Sequence, residues 1–201
     1  SDKKSRGTKF KWSNYRKNLV MRTNWQFWEA AIDKETCNHL TEKFYEQANF
    51  VDATIFGDGQ YSPNNSVRST QVSFIKDKDA IELVKHYLTE ANRNAFGFDV
   101  NYIPALQFGE YSEGSFYNWH HDINWDGDAA FDRKLSIIIQ LTDENEYEGG
   151  NFEFKYIQTP ENCRKQGSVL VFPSYNEHRV TEVTKGVRNS LVCWMEGPRW
   201  R

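Results

Sequence analysis

The sequence contains few cysteines and no long apolar run, and both absences limit what the protein can be. Its three cysteines, Cys37, Cys163 and Cys193, are widely separated, odd in number and in no CxxC pattern. They therefore indicate reduced thiols rather than a disulfide framework or a zinc-thiolate site. No apolar stretch approaches the roughly 20 residues of a transmembrane helix, so we expect no membrane partner. Residues 1–17 lack the apolar core of a signal peptide, which favours a soluble, intracellular (cytoplasmic) protein.

A strong charge of one sign is also missing. The formal net charge of the 201 residues is −3, which argues against a nucleic-acid partner for the domain as a whole. Basic residues concentrate in the first 17 positions, which carry seven Lys or Arg against one acid, Asp2. We interpret residues 1–24 as a basic, solvated N-terminal arm rather than a nucleic-acid-binding arm.

Aromatic side chains, in contrast, are abundant: seven Trp, ten Tyr and fourteen Phe. This content favours a globular, β-containing protein with a core or cleft rich in rings. The length is that of one domain with a substantial core. We therefore expect a single domain over residues 1–201, in which a helical segment, 25–100, supports a core formed by residues 101–201.

The first half of the chain carries two helical patterns. Asp33 is suited to cap a helix whose apolar positions from Cys37 to Ala48 recur at spacings of three and four. A second apolar stripe runs from Ile81 to Ala95 and ends at Gly97. Between the two helices, residues 51–66 are rich in Gly, Pro and Asn, and we expect a long loop there that acts as a lid.

After residue 101, short strand-like runs separated by Gly or Pro turns replace the helices. Many short strands at this spacing predict a sandwich or jelly roll with the two helices on an outer face. The fold class is thus α+β, mainly β. The predicted strands are Ala105–Tyr111, Leu135–Leu141, Asn151–Ile157, Ser168–Phe172, Arg179–Val183 and Val187–Met195.

One stretch, QFGEYSEGSFYNWHHD at residues 107–122, ends in two histidines and a carboxylate. Residues two apart in a strand face the same way, so His120 and Asp122 converge while His121 turns aside. A His-x-Asp pair supplies two of the three ligands in the 2-His-1-carboxylate arrangement of non-haem iron(II). His178, at the start of a later strand, is the best remaining third ligand, because the other histidines lie in the predicted helices.

The terminal strand adds a charged residue to this constellation. The turn at Lys185-Gly186 predicts a hairpin that folds this strand back beside His178. Alternation places Arg188, Ser190 and Trp194 on one face, which we expect to line a cavity. A guanidinium binds a carboxylate through two parallel hydrogen bonds, and the Ser190 hydroxyl can donate another. This chemistry suits the distal carboxylate of a dicarboxylic acid.

Three ordered motifs resemble the iron(II)- and 2-oxoglutarate-dependent oxygenases, specifically the prolyl 4-hydroxylase-like hydroxylases. They are Tyr111-x-x-Gly114-x-x-Tyr117-x-x-His120-x-Asp122, RKLSIIIQLTDENEYEGGNFEF from Arg133, and FPSYNEHRVTEVTKGVRNSLVCWMEG from Phe172. The resemblance, which covers residues 102–201, implies a double-stranded β-helix (jelly-roll) core with N-terminal supporting helices. It also implies iron(II) as cofactor, 2-oxoglutarate and O2 as cosubstrates, and ascorbate as a reductant.

The resemblance further implies roles for three sets of residues. The implied iron ligands, which are the catalytic residues, are His120, Asp122 and His178. The residues implied to bind the C5 carboxylate of 2-oxoglutarate are Arg188 and Ser190, with a further hydrogen bond to this cosubstrate from Tyr111. Tyr117, Trp119 and Trp194 are implied to line the pocket near the iron, and packing as core aromatics is an equal alternative for them.

A dioxygenase of this kind couples decarboxylation of 2-oxoglutarate to hydroxylation of an unactivated C–H bond. We expect the loops at 51–66 and 123–134 to gate the site and the substrate to be a peptidyl, prolyl-type residue of a peptide or protein. A free amino acid or another small metabolite is the alternative, because collagen-type members carry Lys where this chain has Arg188. A catalytically inactive, cupin-like binding protein is expected to lack a ligand, and none is missing. Nucleic-acid demethylases of this fold usually carry an arginine at the position of Trp194.

Overall fold

The computed structural model describes residues 23–57, 60–64, 66–123, 125 and 130–200, so nearly all of the predicted basic arm, 1–24, lies outside the described residues. The helices are α1 (Lys34–Gln47), α2 (Lys78–Ala91) and a short π-helix (Asn92–Phe96). The strands are β1 (Gln26–Trp28), β2 (Val51–Asp52), β3 (Thr54–Gly57), β4 (Gln60–Pro63), β5 (Arg68–Ser69), β6 (Gln71–Ile75), β7 (Leu106–Tyr111), β8 (Phe116–His120), β9 (Phe131–Gln140), β10 (Tyr147–Gly149), β11 (Phe152–Phe154), β12 (Val169–Pro173), β13 (His178–Val180), β14 (Val183–Gly186) and β15 (Arg188–Pro198).

Two antiparallel sheets form the body of the protein. The large sheet has the strand order β1-β12-β9-β15-β7-β6-β2, and the small sheet has the order β11-β13-β8-β5. From β7 to β15, apart from the separate pair of β10 with β14, successive strands alternate between the two sheets, which gives the jelly roll that the sequence predicted. The segment 25–100, expected to be helical support, also contributes strands to both sheets, because β6 pairs with β7 and β5 pairs with β8.

Both helices pack as their sequences predict, and each begins at a capping aspartate, of which Asp33 was predicted and Asp77 was not. The Asp33 carboxylate accepts a hydrogen bond from the Thr36 backbone N–H at 2.8 Å, and Asp77 accepts one from Ala80 at 2.9 Å. Such caps satisfy backbone donors that the first turn of a helix leaves free. Gly97 ends the second helical segment in the left-handed region, at φ 63°. In the part of the chain that the structure describes, every helix is too short or too polar to cross a bilayer.

The main core lies between the helices and the outer face of the large sheet. Cys37 and Phe44 of α1 and Leu88 of α2 are fully buried there. Strand β15 contributes Leu191, Cys193 and Met195 to the same cluster, as its two-residue alternation predicted. The alternate residues of β15 therefore face the small sheet, and the site is built in that inner space.

The predicted hairpin between the strands of His178 and Arg188 is wrong. Strand β13 pairs with β11 and β8, whereas β15 pairs with β7 and β9 at the centre of the large sheet. After β13 the chain forms β14, which pairs with β10, and Gly186 turns the chain into β15 at φ 76°. The two residues therefore approach the inner space from opposite sheets.

The two segments expected to be gating loops contain regular structure. Within residues 51–66, the structure forms β2 and a hairpin of β3 with β4, while residues 58, 59 and 65 lie outside the described part. Of residues 123–134, those from 131 onward belong to β9, and 124 and 126–129 are likewise outside the described part. The expectation that these segments gate the site stays a prediction.

Candidate metal centre and cosubstrate cavity

The three predicted ligands lie together at one end of the small sheet. His120 ends β8 and is paired across the sheet with His178, the first residue of β13. Asp122 lies two residues beyond His120, where its backbone N–H donates to the carbonyl of Ser174 at 3.0 Å. One ligand atom from each of the three side chains lies within 4.8 Å of the others. This spacing and donor set fit one metal ion, and the assignment to iron(II) stays a prediction.

Both histidines are oriented by backbone carbonyls. The Nδ1 atom of His120 lies 2.7 Å from the carbonyl oxygen of Asn118, and that of His178 lies 2.8 Å from the carbonyl oxygen of Asn176. A proton on Nδ1 satisfies each carbonyl and leaves the Nε2 lone pair for a metal. The Nε2 atoms lie 3.6 Å and 3.7 Å from the two carboxylate oxygens of Asp122, so all three side chains face one point.

The ionisation of the cluster suits a cation. Burial and, to a smaller extent, the nearby His120 lower the pKa of His178 to about 4 against the opposing effect of Asp122, so this imidazole is neutral at pH 7. Burial acts to raise the pKa of Asp122, but the neighbouring His178 and His120 outweigh it and hold that pKa below the usual range. A carboxylate beside a neutral imidazole is the form that binds a metal ion.

A pair of buried serines supports Asp122 from the large sheet. Ser136 of β9 donates from Oγ to the Oδ2 atom of Asp122 at 2.6 Å, and its Oγ lies 2.9 Å from the Oγ of Ser174. Both serines are 0% exposed. This bond fixes the carboxylate in its position and leaves its second oxygen, Oδ1, facing His120. The sequence reasoning missed Ser136, although its polar side chain interrupts the apolar run LSIIIQ at the position that faces the site.

His121 does not belong to the cluster, as expected. It is exposed, and its Nδ1 lies 2.8 Å from the carbonyl oxygen of Tyr175. The strand argument that led to this expectation is only partly valid, because β8 ends at His120 and Asp122 lies after the strand.

A bulge in β8 brings Tyr117 to the cluster. His178 and Val180, two residues apart, are paired with His120 and Tyr117, three residues apart. The extra residue in β8 places Tyr117 and His120 on the same face. Their rings stack with centroids 3.4 Å apart and planes at 9°. Burial raises the pKa of Tyr117 to about 12, so its hydroxyl stays protonated at neutral pH.

Trp119 is not brought to the cluster. It precedes His120 directly and faces the other side of the small sheet, where the guanidinium carbon of Arg179 lies 4.6 Å from its ring centroid and Lys155 Nζ lies 5.8 Å away. Trp194, in contrast, faces the inner space. It is paired across the large sheet with Ser136, and its indole N–H is buried with no hydrogen-bond partner in the described part of the protein.

Two arginines without protein counter-charges lie in or beside the inner space. Arg188 is 3% exposed and Arg68 is 7% exposed, and neither forms an ion pair with the residues that the structure describes. The guanidinium carbon of Arg68 lies 4.3 Å from the ring centroid of Tyr117, and its Nε is buried and unpaired. The guanidinium carbon of Arg188 lies 5.2 Å from the ring centroid of Tyr111, to which it is paired across the sheet.

Arg188 lines a cavity of about 530 Å³ that does not include the three ligands but shares Phe152 with their surroundings, since the Phe152 ring centroid lies 5.3 Å from that of His178. A buried guanidinium without a counter-charge is costly, and a carboxylate ligand removes that cost. Ser190 is paired with Gly109 and Gln140 and lies on the same face of β15 as Arg188. The surroundings of Arg188 therefore fit a ligand with a carboxylate. The roles predicted for Arg188, Ser190 and Tyr111 in cosubstrate binding stay predictions.

Comparison with known proteins agrees with this geometry. The profile described as "2OG-Fe(II) oxygenase superfamily" matches residues 106–196. A PKHD-type hydroxylase of Synechococcus sp. (strain CC9311) is 28% identical over 82% of this chain and 74% of the relative. A PKHD-type hydroxylase of Prochlorococcus marinus is 33% identical, over 47% of this chain and 42% of the relative.

Solved structures show the same fold. A Pseudomonas putida prolyl-4-hydroxylase superposes with a TM-score of 0.68, at 18% identity, over 90% of this chain and 96% of that one. A prolyl hydroxylase from Trichoplax adhaerens, solved in complex with a peptide fragment of hypoxia inducible factor, gives 0.68 at 14% identity over 88% and 84% of the two chains. The profile match contains His120, Asp122, His178 and Arg188, and the structure joins them around one inner space. Residues 106–196 are therefore similar to the 2OG-Fe(II) oxygenase superfamily, and the chain shares the fold of these solved prolyl hydroxylases.

Proposed function

We propose that the protein is an iron(II)- and 2-oxoglutarate-dependent hydroxylase that acts on a C–H bond of a peptidyl, prolyl-type residue. The observation that carries the proposal is the joint placement of His120, Asp122 and His178, together with a buried Arg188 that lines a cavity and has no counter-charge among the described residues. His120, Asp122 and His178 would hold the iron. Arg188, with Ser190, would hold the distal carboxylate of 2-oxoglutarate.

When bound, iron and 2-oxoglutarate would supply the chemistry: one atom of O2 would enter succinate, CO2 would be released, and the other atom would become the hydroxyl of the product. The protein's own residues would prepare this reaction. The carbonyls of Asn118 and Asn176 keep both imidazoles in the metal-binding orientation, and Ser136 keeps Asp122 in place. Arg188 would fix one end of the cosubstrate. Ascorbate would serve as the reductant that keeps the iron in the iron(II) state.

A peptidyl substrate is favoured by an unpaired donor near the candidate metal ligands. The buried indole N–H of Trp194 has no partner among the described residues, and the guanidinium carbon of Arg133 lies 3.7 Å from the centroid of the Trp194 ring. Backbone carbonyls of an extended peptide are acceptors for such donors. The similar Trichoplax adhaerens protein was solved with a peptide fragment, which supports a peptide as substrate here.

A free amino acid or similar small acid is the second candidate, and Arg68 favours it. This guanidinium is 7% exposed, stacks on Tyr117 next to His120, and has no carboxylate partner among the residues described. A substrate with its own carboxylate would compensate this charge. The two candidates therefore differ in whether the substrate brings a carbonyl or a carboxylate to the site.

The decisive experiment measures substrate-dependent succinate release. Anaerobically purified, iron-loaded protein receives 2-oxoglutarate, O2 and ascorbate together with either proline-containing peptides blocked at both ends or free amino acids. Succinate release and oxygen incorporation with blocked peptides support the peptidyl substrate, whereas activity only with free acids supports the second candidate. Iron binding without succinate release, with or without any substrate, would contradict both and favour an inactive cupin-like binder.

A further inference from the structure

The cavity beside Arg188 contains a second group that the sequence reasoning did not single out, the hydroxyl of Tyr147. We propose that this hydroxyl donates a hydrogen bond to the distal carboxylate of the 2-oxo acid, beside Arg188, and so helps the site select a dicarboxylic cosubstrate. The inference rests on the proposed function and names a specificity-determining residue for it. Tyr147 is the first residue of β10, is 3% exposed and lines the cavity with Arg188 and Gln140.

The backbone after Tyr147 lets its ring approach Arg188. Gly150 has φ +59°, and a Cβ atom there would lie 3.0 Å from Cδ of Arg188 and 3.2 Å from Cε2 of Tyr147. The side chains of Arg188 and Tyr147 therefore both lie close to Gly150. The part of the Tyr147 ring that faces Gly150 is the edge next to its hydroxyl. A larger residue at position 150 would separate the two groups, because it would fill the space that both approach.

The hydrogen bonding of the Tyr147 hydroxyl leaves its proton available. The side-chain amide of Gln140 donates to the Tyr147 oxygen at 3.2 Å and to the carbonyl of Thr142 at 3.1 Å. An amide NH2 group only donates, so the hydroxyl is the acceptor in this bond. Within the described residues, the hydroxyl has no acceptor of its own. A carboxylate in the cavity provides that acceptor, because its two oxygens carry more lone pairs than Arg188 uses.

Arg164 holds Tyr147 in this position before any ligand binds. Its guanidinium carbon lies 4.3 Å from the centroid of the Tyr147 ring. Its nitrogens donate to the carbonyl of Tyr147 at 2.8 Å, to that of Gly149 at 2.6 Å and to the side chain of Asn151 at 2.7 Å. Arg164 is therefore a positioning residue that fixes the backbone on both sides of Tyr147. A preorganised donor loses less conformational entropy when the ligand binds.

The inference adds a hydrogen bond to the one that the resemblance implies for Tyr111. The Tyr111 ring lies against Arg188 in the register pair of β7 and β15. Among the residues described, Tyr147 lines the cavity of about 530 Å³ and Tyr111 does not. Because Tyr147 reaches the site from β10, its position depends on the long-range pairing of that strand with β14.

The test measures binding rather than turnover. Protein loaded with nickel(II), which does not support the oxidation, is titrated by calorimetry with 2-oxoglutarate and with 2-oxopentanoate, which has a methyl group in place of the distal carboxylate. We expect Tyr147→Phe to weaken 2-oxoglutarate binding about tenfold or more, the value of a hydrogen bond to a charged group. The same change should alter 2-oxopentanoate binding less than about twofold. Tyr156→Phe is the matched control, because Tyr156 is 79% exposed.

Two results would overturn the inference. If Tyr147→Phe binds 2-oxoglutarate like the wild type, the hydroxyl makes no such bond. If the variant loses affinity equally for 2-oxoglutarate and 2-oxopentanoate, the role of Tyr147 is only structural. Gln140→Met provides a second variant, which should weaken only 2-oxoglutarate binding, and by less, because it removes the amide that orients the hydroxyl. Wild-type protein that binds nickel but not 2-oxoglutarate would instead overturn the proposed function.

Discussion

The two faces of the large sheet are built from alternate residues of the same strands, yet they differ in almost every property. The face toward the helices is apolar, and Ile137, Ile139 and Leu191 on it are fully buried. The face toward the small sheet carries Ser136, Gln140 and Arg188, which are also buried but polar. Burial on the first face stabilises the fold. Burial on the second face leaves polar groups that a ligand can satisfy, so one sheet separates the stabilising function from the binding function.

The largest expected effect is the loss of metal binding when a candidate ligand is removed. Asp122→Ala should abolish iron binding, because it removes the anionic member of the three-residue set. His121→Ala, the neighbouring control, should leave most of the affinity. Metal content after dialysis, measured with thermal unfolding in metal-free buffer, checks both variants. Equal loss of iron from both folded variants would contradict the assignment of the ligands.

The next effect concerns the cosubstrate. Arg188→Met should weaken 2-oxoglutarate binding by at least about a hundredfold, because two charged hydrogen bonds are lost. The metal-free protein should lose little stability, since a buried charge without a counter-charge is replaced by an apolar chain. Arg188→Lys, which keeps the charge but not the planar fork, should bind with intermediate affinity. An unchanged dissociation constant for 2-oxoglutarate in Arg188→Met, measured on the nickel-loaded protein, would refute the role of Arg188.

On the helix-facing side of the large sheet, we expect a substitution to lower the stability of the protein and to leave metal binding unchanged. Ile139→Ala should reduce the free energy of unfolding by about 2–5 kcal/mol, because a fully buried side chain is truncated. The folded fraction should bind metal with unchanged affinity. Ile138→Ala, one residue away on the inner face and partly buried, should cost less stability. Urea unfolding of the two variants checks the comparison, which fails if Ile138→Ala proves the more destabilising change.

The smallest expected effect tests the support of Asp122. Ser136→Ala should weaken metal binding about 10–100-fold, since groups that orient metal ligands have effects of this size. The exposed Ser112 provides the matched control Ser112→Ala, which should bind metal like the wild type. Metal competition with a chromophoric chelator measures both affinities. If Ser136→Ala retains wild-type affinity, the bond from Ser136 to Asp122 has no part in holding the metal.

Much of the fold follows from local signals in the sequence. Asp33 caps the first helix as predicted, and the apolar period of three to four residues places Cys37 and Leu88 in the core. Two-residue alternation also identified the inner face of β15. These features depend on neighbours in the sequence, so a sequence alone is sufficient to predict them.

The errors arose where partners are distant in sequence. The turn at Gly186 indicated a hairpin, but β15 pairs with β7 and β9, whose residues lie far away along the chain. Tyr117 and Trp119 were both implied to line the pocket near the metal, with core packing as an equal alternative, and a bulge that no local pattern signals brings only Tyr117 to the cluster. Tyr147 was missed for the same reason, since only long-range pairing brings it to the cavity. The roles of the residues around the metal and the cosubstrate remain predictions for the experiments above.

The residues that would bind the metal and those that would bind the cosubstrate lie on different sheets, and this has a mechanical consequence. All three candidate metal ligands lie on or just beyond strands of the small sheet, whereas Arg188 and Ser190 belong to the centre of the large sheet. A cosubstrate that reaches from the metal to Arg188 would therefore act as a cross-link between the two sheets. That link would add to the contacts that already join the two sheets, such as the bond from Ser136 to Asp122. Binding of the cosubstrate would then make the whole β-sandwich more rigid, including residues that the cosubstrate does not touch.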